Sequence, residues 1–348
     1  MDKKMRIGVV NWDCSLPPDT FFGGYFSKSL SNKKWRNRTP YYVDIISEDN
    51  VCCHYRTLEE VETELQYAID AKIDYFAYVW HTDNKNAKPQ NGVETSVTHP
   101  HAWTQDYVRK LHQQSHLSEK IKLCAILMCS QPYIESDFVS LAEAMKAPYY
   151  EKIDGRPLVF LYTGYNTEFI EMLREFPQKY GTENPYIVFL ATAGDTAIEG
   201  VDYSKADGVS AYAWSNDDSI DRYDQLIDCL LSGNEARKNF KIDTIPLFTF
   251  GWNPTPRIEN PVPWYGYPEI GYHKTPTPAE IEDGAKRLAD WIAKNKEYTK
   301  VGHVMCFAWN EFEEGAWICP TYDDDLNIDS SRVKVFSEIV KSWKQRLL

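Results

Sequence analysis

The sequence predicts a (β/α)8 barrel, that is, an α/β protein of the TIM-barrel class. Eight short apolar runs recur along the 348 residues, and stretches with helical periodicity separate most of them. Nearly continuous apolar runs are typical of parallel strands that helices cover from outside, and strands that alternate with helices indicate a parallel α/β fold. The length suits one such barrel, so we expect residues 1–348 to form a single domain.

The predicted strands share an apolar composition that is rich in β-branched and aromatic residues. They cover residues 5–12, 73–80, 121–128, 157–162, 186–191, 208–213, 245–250 and 303–309. Helices are predicted at residues 58–71, 135–145, 167–180, 219–231, 278–294 and 332–343. In the first of these, apolar residues such as Val61, Leu65 and Ala68 recur at spacings of three and four and so share one face. Thr277 and Glu280 form a capping-box pattern around Pro278, which marks the start of a helix.

An open, doubly wound sheet is the alternative arrangement of the same elements. No glycine-rich loop follows the first predicted strand, which argues against a dinucleotide site in such a sheet. In a barrel, the long loops at residues 13–56, 81–101 and 253–275 follow strands 1, 2 and 7. They therefore lie at the end of the barrel that carries active sites, and loops of this length are usually functional.

Composition excludes several classes of partner. The net charge of −13 repels nucleic acids and anionic membrane surfaces, and no apolar run approaches the roughly 20 residues of a membrane span. The eight cysteines show no metal or redox spacing and are expected to be free thiols. No signal peptide is recognised, so we expect a cytoplasmic protein as the chain stands, or a periplasmic or surface protein if a leader was trimmed. Oligomeric state is not predicted.

The most informative segment follows the eighth predicted strand and contains two acids beside a tryptophan. It reads Trp309-Asn310-Glu311-Phe312-Glu313-Glu314-Gly315-Ala316. Cleavage of a glycosidic bond needs two carboxyl groups on either side of the reacting carbon. In a helical turn, the β-carbons of residues three apart lie about 5–6 Å from each other, and carboxyl groups that close push their pKa values apart. Glu311 and Glu314 are thus predicted as catalytic residues, while Glu313 is expected to point away.

Aromatic and polar residues collect at the predicted strand ends. Because aromatic rings offer flat apolar area to a sugar ring, we predict an aromatic-lined carbohydrate cleft. Arg257 could hold a substrate hydroxyl or carboxylate, or could form a salt bridge within its loop. Besides Arg257, the predicted substrate-binding residues are Trp80, His81, Tyr212, Trp214, Trp252, Asn253, Trp309 and Asn310.

The segment Trp309 to Gly315 resembles a motif of the glycoside hydrolase family 99-like group, which includes endo-α-mannosidases and the WbsX-like proteins. That motif reads Trp-Asn-Glu-aromatic-x-Glu-Gly. Two further segments support the resemblance: residues 154–157 (Asp-Gly-Arg-Pro) and residues 251–253 (Gly-Trp-Asn), the latter followed by Pro256 and Arg257. Residues 73–80 are similar to strand 2 of the group.

The resemblance implies a (β/α)8 barrel and a retaining glycoside hydrolase. In the implied reaction, Glu311 acts as base on the sugar's own 2-hydroxyl, a 1,2-anhydro sugar forms, and Glu314 protonates the leaving oxygen. Two departures from the group's pattern concern specificity: Cys319 stands where a later glutamate is usual, and Asn253 replaces an aspartate. A WbsX-like enzyme of polysaccharide biosynthesis and a catalytically silent glycan-binding barrel are the alternatives.

No cofactor and no metal are expected. His99 and His101 lie two apart without other ligands nearby, which is a weak pattern for zinc. The acidic run at residues 323–325 lacks the spaced oxygen ligands of a calcium loop. The expected partner is therefore a carbohydrate substrate alone.

Overall fold

The computed structural model describes residues 5–88, 95–163, 167–191, 202–212 and 220–347, and within these ranges the chain forms a barrel of parallel strands. The strands are β1 (Arg6–Asn11), β2 (Tyr75–Trp80), β3 (Lys122–Met128), β4 (Arg156–Tyr162), β5 (Tyr186–Ala191), β6 (Gly208–Ala211), β7 in two pieces (Asp243–Thr244 and Leu247–Thr249) and β8 (His303–Phe307). Each lies within two residues of the bounds expected from its apolar run, apart from the interruption of β7.

The sheet closes on itself through the interrupted strand β7. Its first piece pairs with β6 and its second piece with β8, while β1 joins β8 to β2 on the other side. Only Ile245 and Pro246 separate the two pieces. Proline has no N–H to donate, but the Pro246 carbonyl accepts from the Met305 N–H at 2.9 Å, and the Ile245 N–H donates to the Val209 carbonyl at 2.9 Å. The barrel prediction is therefore confirmed, and the open sheet is not found.

In the described ranges, most helices pack around the outside of the barrel, and others lie within the loops. They are α1 (Phe21–Leu30), α2 (Leu58–Asp70), α3 (Tyr107–Gln114), α4 (Glu135–Lys146), α5 (Thr167–Arg174), α6 (Phe176–Tyr180), α7 (Tyr223–Arg237), α8 (Thr255–Glu259), α9 (Pro278–Lys294) and α10 (Ser331–Leu347). Both α2 and α9 begin with a reciprocal capping box, Thr57 with Glu60 and Thr277 with Glu280.

Several helix predictions need correction. The helix expected at residues 167–180 is two helices that meet at Glu175, and the one expected at 219–231 begins at Tyr223 and continues to Arg237. The loop predicted at residues 13–56 contains α1 and an antiparallel hairpin, Asp44–Ser47 with Asn50–Cys52. The loop after β7 contains α8.

Side-chain alternation along β2 separates the barrel interior from the helix layer. Tyr75 points inward, since its hydroxyl lies 3.2 Å from Nδ1 of His303 on β8. Tyr78 and Trp80 point outward to α3, where Tyr78 contacts His112 and Trp80 lies 3.5 Å beneath the guanidinium carbon of Arg109. This parity decides which aromatic side chains can face a cleft at the barrel mouth.

Two findings bear on membrane and metal chemistry. Among the residues that the structure describes, none of the helices combines the length and apolar composition that crossing a bilayer requires. Within the same ranges, no cluster of three or more histidine, cysteine, aspartate or glutamate residues is arranged to hold a metal ion.

The interior packing of β1 against β2 makes a stability prediction. A Cβ built on Gly8 would lie 2.2 Å from the ring of Tyr75, so the substitution Gly8→Ala must displace a buried ring. We expect the free energy of unfolding to fall by about 1–3 kcal/mol, measured by chemical denaturation. Gly266→Ala is the control, because a Cβ there meets nothing within 4 Å. If Gly8→Ala and Gly266→Ala have the same free energy of unfolding, the close contact between Gly8 and the Tyr75 ring is contradicted.

Candidate active site

The two predicted catalytic acids lie on a short β-hairpin directly after β8. Its strands are Asn310–Glu311 and Ala316–Trp317, with Glu311 opposite Ala316. The prediction that Glu311 and Glu314 lie on a helical turn is therefore wrong, because the segment is a β-hairpin. The tight turn of the hairpin nevertheless brings Glu311 and Glu314 to one guanidinium, so the predicted closeness of the two acids is found.

Glycine at position 315 allows the loop after β7 to lie directly on this hairpin. Gly315 has φ +75, a left-handed conformation that L-residues avoid. A Cβ there would lie 2.7 Å from the backbone nitrogen of Asn253. At this contact the Asn253 N–H donates to the Glu314 carbonyl at 2.6 Å. The hairpin and the loop thus hold each other in register, and Glu314 is fixed through its own backbone.

Arg257, from α8, binds three carboxylates of the hairpin. Its Nη2 lies 3.0 Å from Oε2 of Glu313 and 3.8 Å from Oε2 of Glu311, and its Nη1 lies 3.2 Å from Oε1 of Glu314. All four side chains are buried. Of the two roles considered for Arg257, the structure shows the salt bridge. Glu313 does not point away, as expected, but makes the shortest of the three ion pairs.

Tyr267 completes this cluster and was not identified from the sequence. Its hydroxyl accepts a hydrogen bond from Nη1 of Arg257 at 2.6 Å and donates one to Oε1 of Glu314. The concentration of aromatic residues in Trp264-Tyr265-Gly266-Tyr267, within a long loop at the barrel mouth, is the signal that could have found it. Trp264 lies over the Arg257 guanidinium at 5.4 Å.

Burial and mutual repulsion disfavour ionisation of both acids. Burial raises the pKa of Glu311 well above its ordinary value, and the charge of Glu314 adds to this effect while Arg257 opposes it. Burial also raises the pKa of Glu314, but Arg257 and the hydrogen bond from Tyr267 oppose the increase. The negative charge is therefore favoured on Glu314 and the proton on Glu311. Close carboxyl groups of this kind titrate as a pair.

An aromatic wall surrounds the acids at the barrel mouth. Trp12, at the end of β1, lies 6.2 Å from His81 and 6.3 Å from Tyr212 between ring centres. Tyr212 stacks on Tyr162 at 4.2 Å. Trp252 lies 6.3 Å from Tyr267. His81, Tyr212 and Trp252, three of the predicted substrate-binding residues, belong to this wall, whereas Trp214 falls outside the described residues.

Three polar atoms of this wall are buried and have no protein partner among the described residues: Nε1 of Trp12, the hydroxyl of Tyr212 and Nε1 of Trp252. Burial, with the charge of Glu311 as a second cause, raises the pKa of Tyr212 well above its ordinary value, so its hydroxyl keeps its proton. Buried donors without acceptors are rare, and each costs about 1–3 kcal/mol unless a ligand or water satisfies it. The wall therefore offers hydrogen-bond donors to a polar ligand.

His81 lies in the wall as a neutral imidazole. Burial lowers its pKa to about 4. Its Nδ1 lies 3.2 Å from Nε2 of Gln131, which acts as the donor. The ring contacts Phe22 and Trp12. At neutral pH His81 therefore contributes shape and a weakly polar edge, and adds no positive charge beside the acids.

Two predicted lining residues belong to the core. Trp309 is 0% exposed, packs 5.2 Å from Phe76 and donates from Nε1 to Oε1 of Glu64 at 2.6 Å. Trp80 is 2% exposed and lies beneath Arg109 in the helix layer. The prediction that these rings line the cleft is wrong, because both side chains point away from the barrel interior.

Asn310 and Asn253 are engaged by the protein itself. Asn310 accepts from the Trp12 N–H at 3.0 Å and donates to Asn11 at 3.0 Å, which ties the hairpin to β1. Oδ1 of Asn253 accepts from the Thr255 hydroxyl at 2.6 Å in the first turn of α8. Both amides therefore position the site through contacts within the protein, and their contact with substrate stays a prediction.

A second buried ion cluster supports the hairpin from behind. Arg56 pairs with Asp13 at 2.9 Å and with Glu64, whose other oxygen accepts from Trp309. Cys319 is also buried there, and the charge of Glu64 adds to the effect of burial in raising the pKa of its thiol. Of the two residues that depart from the group's pattern, Cys319 thus lies beside this second cluster, whereas Asn253 contacts the backbone of Glu314.

Comparison with known proteins supports the fold. No protein-family model matches the chain, and no curated protein does. Among solved structures, the GH99 endo-α-mannosidase from Bacteroides thetaiotaomicron in complex with bis-tris-propane superposes with a TM-score of 0.58 at 12% identity, covering 99% of each chain. Another structure of the GH99 endo-α-mannosidase from that organism gives 0.55 at 12% identity, covering 87% of this chain and 86% of the other. The expected structural likeness to glycoside hydrolase family 99 is confirmed at the level of the fold.

Trp309 provides a test of its assignment to the core. Trp309→Phe removes the indole N–H that donates to Oε1 of Glu64, so a buried carboxylate oxygen loses its hydrogen bond. The free energy of unfolding should fall by about 1–3 kcal/mol, measured by denaturant titration. Trp103→Phe is the matched control, since Trp103 is 50% exposed. If the free energy of unfolding of Trp309→Phe equals that of the unmodified protein, Trp309 does not belong to the core and is again a candidate for the lining of the cleft.

Proposed function

We propose that this protein is a glycoside hydrolase that cleaves a glycosidic bond in an oligosaccharide or polysaccharide, with Glu311 and Glu314 as its acid–base pair. The observation that carries the proposal is the pair itself: two buried carboxyl groups that lie on one guanidinium and beside buried donors without partners among the described residues. One neutral and one charged carboxyl group are what glycosidic cleavage requires.

The aromatic wall suits a sugar better than a flat apolar ligand. A pyranose ring has an apolar face that packs on aromatic rings and hydroxyl oxygens that can accept hydrogen bonds. Trp12, Tyr212 and Trp252 present both features in one place, because each combines ring area with an unpartnered donor. A purely apolar ligand would leave all three donors unsatisfied, at a cost of about 1–3 kcal/mol each.

We further propose a retaining reaction, with the roles that the motif resemblance implies. Glu311 removes the proton of the sugar 2-hydroxyl, whose oxygen attacks the anomeric carbon as the glycosidic C–O bond breaks. Glu314 gives its proton to the leaving oxygen. Water then attacks the anomeric carbon and breaks its bond to the oxygen on C2; the water gives one proton back to Glu314, and the oxygen on C2 recovers one from Glu311. One water molecule is consumed, and both carboxyl groups return to their first state.

These roles require the shared proton to move when substrate binds. The hydrogen bonds that Tyr267 and Arg257 make to Glu314 favour charge on Glu314. A sugar 2-hydroxyl that donates to Glu311 would favour charge on Glu311 instead, and the proton would pass to Glu314. The similarity to an endo-α-mannosidase leads us to propose an α-linked, mannose-like substrate.

A catalytically silent glycan-binding barrel is the second candidate. One observation favours it: Arg257 already pairs with both acids, which stabilises a resting arrangement. A WbsX-like enzyme of polysaccharide biosynthesis would use the same pair of acids, and the product formed would distinguish it from a degradative hydrolase.

Hydrolysis of a panel of α- and β-linked oligosaccharides, with products identified by mass, tests the proposal. Glu311→Gln and Glu314→Gln should each lower kcat/KM by about 10²–10⁴-fold, the usual contribution of a general acid or base. Glu151→Gln is the control, because Glu151 is an equally buried, arginine-paired carboxylate at the opposite end of the barrel. Binding of an oligosaccharide without any cleavage by the unmodified protein would favour the silent barrel.

Activated substrates test the division of roles. An aryl glycoside with an acidic phenol as leaving group needs little protonation, so Glu314→Gln should retain much of its rate on this substrate, whereas Glu311→Gln should not. The ratio of kcat/KM for aryl and natural glycosides is the measurement. Retained activity in Glu311→Gln alone would show that the roles are reversed.

A further inference from the structure

Glu313 is the charged group of the hairpin that the proposed reaction leaves without a role. It occupies the position of the strand 8 motif at which no residue type is specified. Its Oε2 forms the shortest of the three ion pairs of Arg257, at 3.0 Å, and its Oε1 is buried without a partner among the described residues. A surface carboxylate would be solvated, but this one is 2% exposed, so solvent and salt screen its charge much less.

Glu313 competes with Glu311 and Glu314 for the guanidinium of Arg257. In the described part of the chain, Arg257 is the only cation that contacts the acid pair. Nη2 of Arg257 lies between Glu313, at 3.0 Å, and Glu311, at 3.8 Å. The guanidinium is thus drawn towards Glu313 and away from Glu311. Because one positive charge serves three carboxylates, the buried cluster has an excess of negative charge, which favours protonation of at least one of the acids.

We propose that Glu313 is a positioning residue that sets the charge state of the acid pair: by holding the Arg257 guanidinium, it keeps one proton shared between Glu311 and Glu314 at neutral pH. This inference rests on the proposed function of the pair. It adds to that function a residue that determines the working pH without touching the substrate.

The charges around the acid pair determine in which direction the loss of the Glu313 charge would change the pKa values of Glu311 and Glu314. On the hairpin, the negative charge of Glu313 raises the pKa of both Glu311 and Glu314, and Arg257 lowers both, although burial is the largest cause for each acid. Among the described residues, the remaining titratable groups that face it are neutral donors whose own pKa values burial raises: Cys14, Tyr212, Tyr265 and Tyr267. Removal of the charge at position 313 therefore leaves Arg257 to the two acids, and both should lose their protons at lower pH.

The test is a carboxyl titration by NMR of protein labelled with carbon-13 at the glutamate side-chain carbons. Glu311→Gln and Glu314→Gln assign the two signals. In Glu313→Gln, the titration midpoints of both acids should fall by about one pH unit or more, the size expected for the loss of a near charge. Glu313→Asp keeps the charge and should retain midpoints close to those of the unmodified protein. Glu151→Gln removes a distant buried carboxylate and should change neither.

The pH dependence of kcat/KM is the second readout, and a merely structural role would not move it. Both limbs of the profile should shift to lower pH in Glu313→Gln and return in Glu313→Asp. If the unmodified protein cleaves nothing, the proposed function fails while the NMR titration still decides the role of Glu313. Unmoved midpoints in Glu313→Gln, or equal shifts in Glu313→Gln and Glu313→Asp, would overturn the inference. Glu313→Ser serves as a second neutral variant if Glu313→Gln does not fold.

Discussion

One buried guanidinium among three carboxylates is the interaction on which the mouth of this barrel depends. Arg257 comes from the segment after β7 and the carboxylates come from the hairpin after β8, so their ion pairs join two neighbouring loops. Buried charges are tolerated only when they are paired. With one arginine for three acids, the cluster has an excess of negative charge, which favours protonation of at least one carboxyl group. The acid–base chemistry proposed for the site follows from this imbalance.

Backbone contacts around the cluster hold the three carboxylates close together, so their excess of negative charge is maintained. The Asn253 N–H binds the Glu314 carbonyl, and the glycine at position 315 permits that approach. From the opposite side, the Arg56 cluster holds Trp309 and therefore the start of the hairpin. The acids cannot move apart to relieve their repulsion without breaking contacts on both sides. Such preorganised charge is a general source of catalytic power in enzymes.

Much of the fold could be predicted from the sequence, because the information was local. Buried parallel strands need continuous apolar runs, and these located all eight strands. The capping box at Thr277 located α9, which spans Pro278–Lys294 as expected. Elements without a local signal were missed, among them α1 and the hairpin within residues 13–56. Their stability depends on packing against distant parts of the chain and not on their own periodicity.

For the site, the sequence identified which residues collect at the strand ends but not which way each side chain points. In a strand that is apolar at every position, alternation leaves no trace in the composition. Trp80 and His81 are adjacent, and only the structure shows that His81 joins the wall while Trp80 packs on Arg109. Trp309 was misassigned for the same reason. The partnership of Arg257 and Tyr267 is a tertiary contact, which spacing along the chain cannot reveal.

The most direct test is a crystal structure of Glu311→Gln with a bound α-linked mannooligosaccharide. The account predicts a sugar ring against Trp12, Tyr212 and Trp252, hydroxyl oxygens accepting from their three unpartnered donors, and a glycosidic oxygen within hydrogen-bond distance of Glu314. An oligosaccharide bound elsewhere on the barrel, with these donors unsatisfied, would contradict the assignment of the acid pair as the site of glycosidic cleavage.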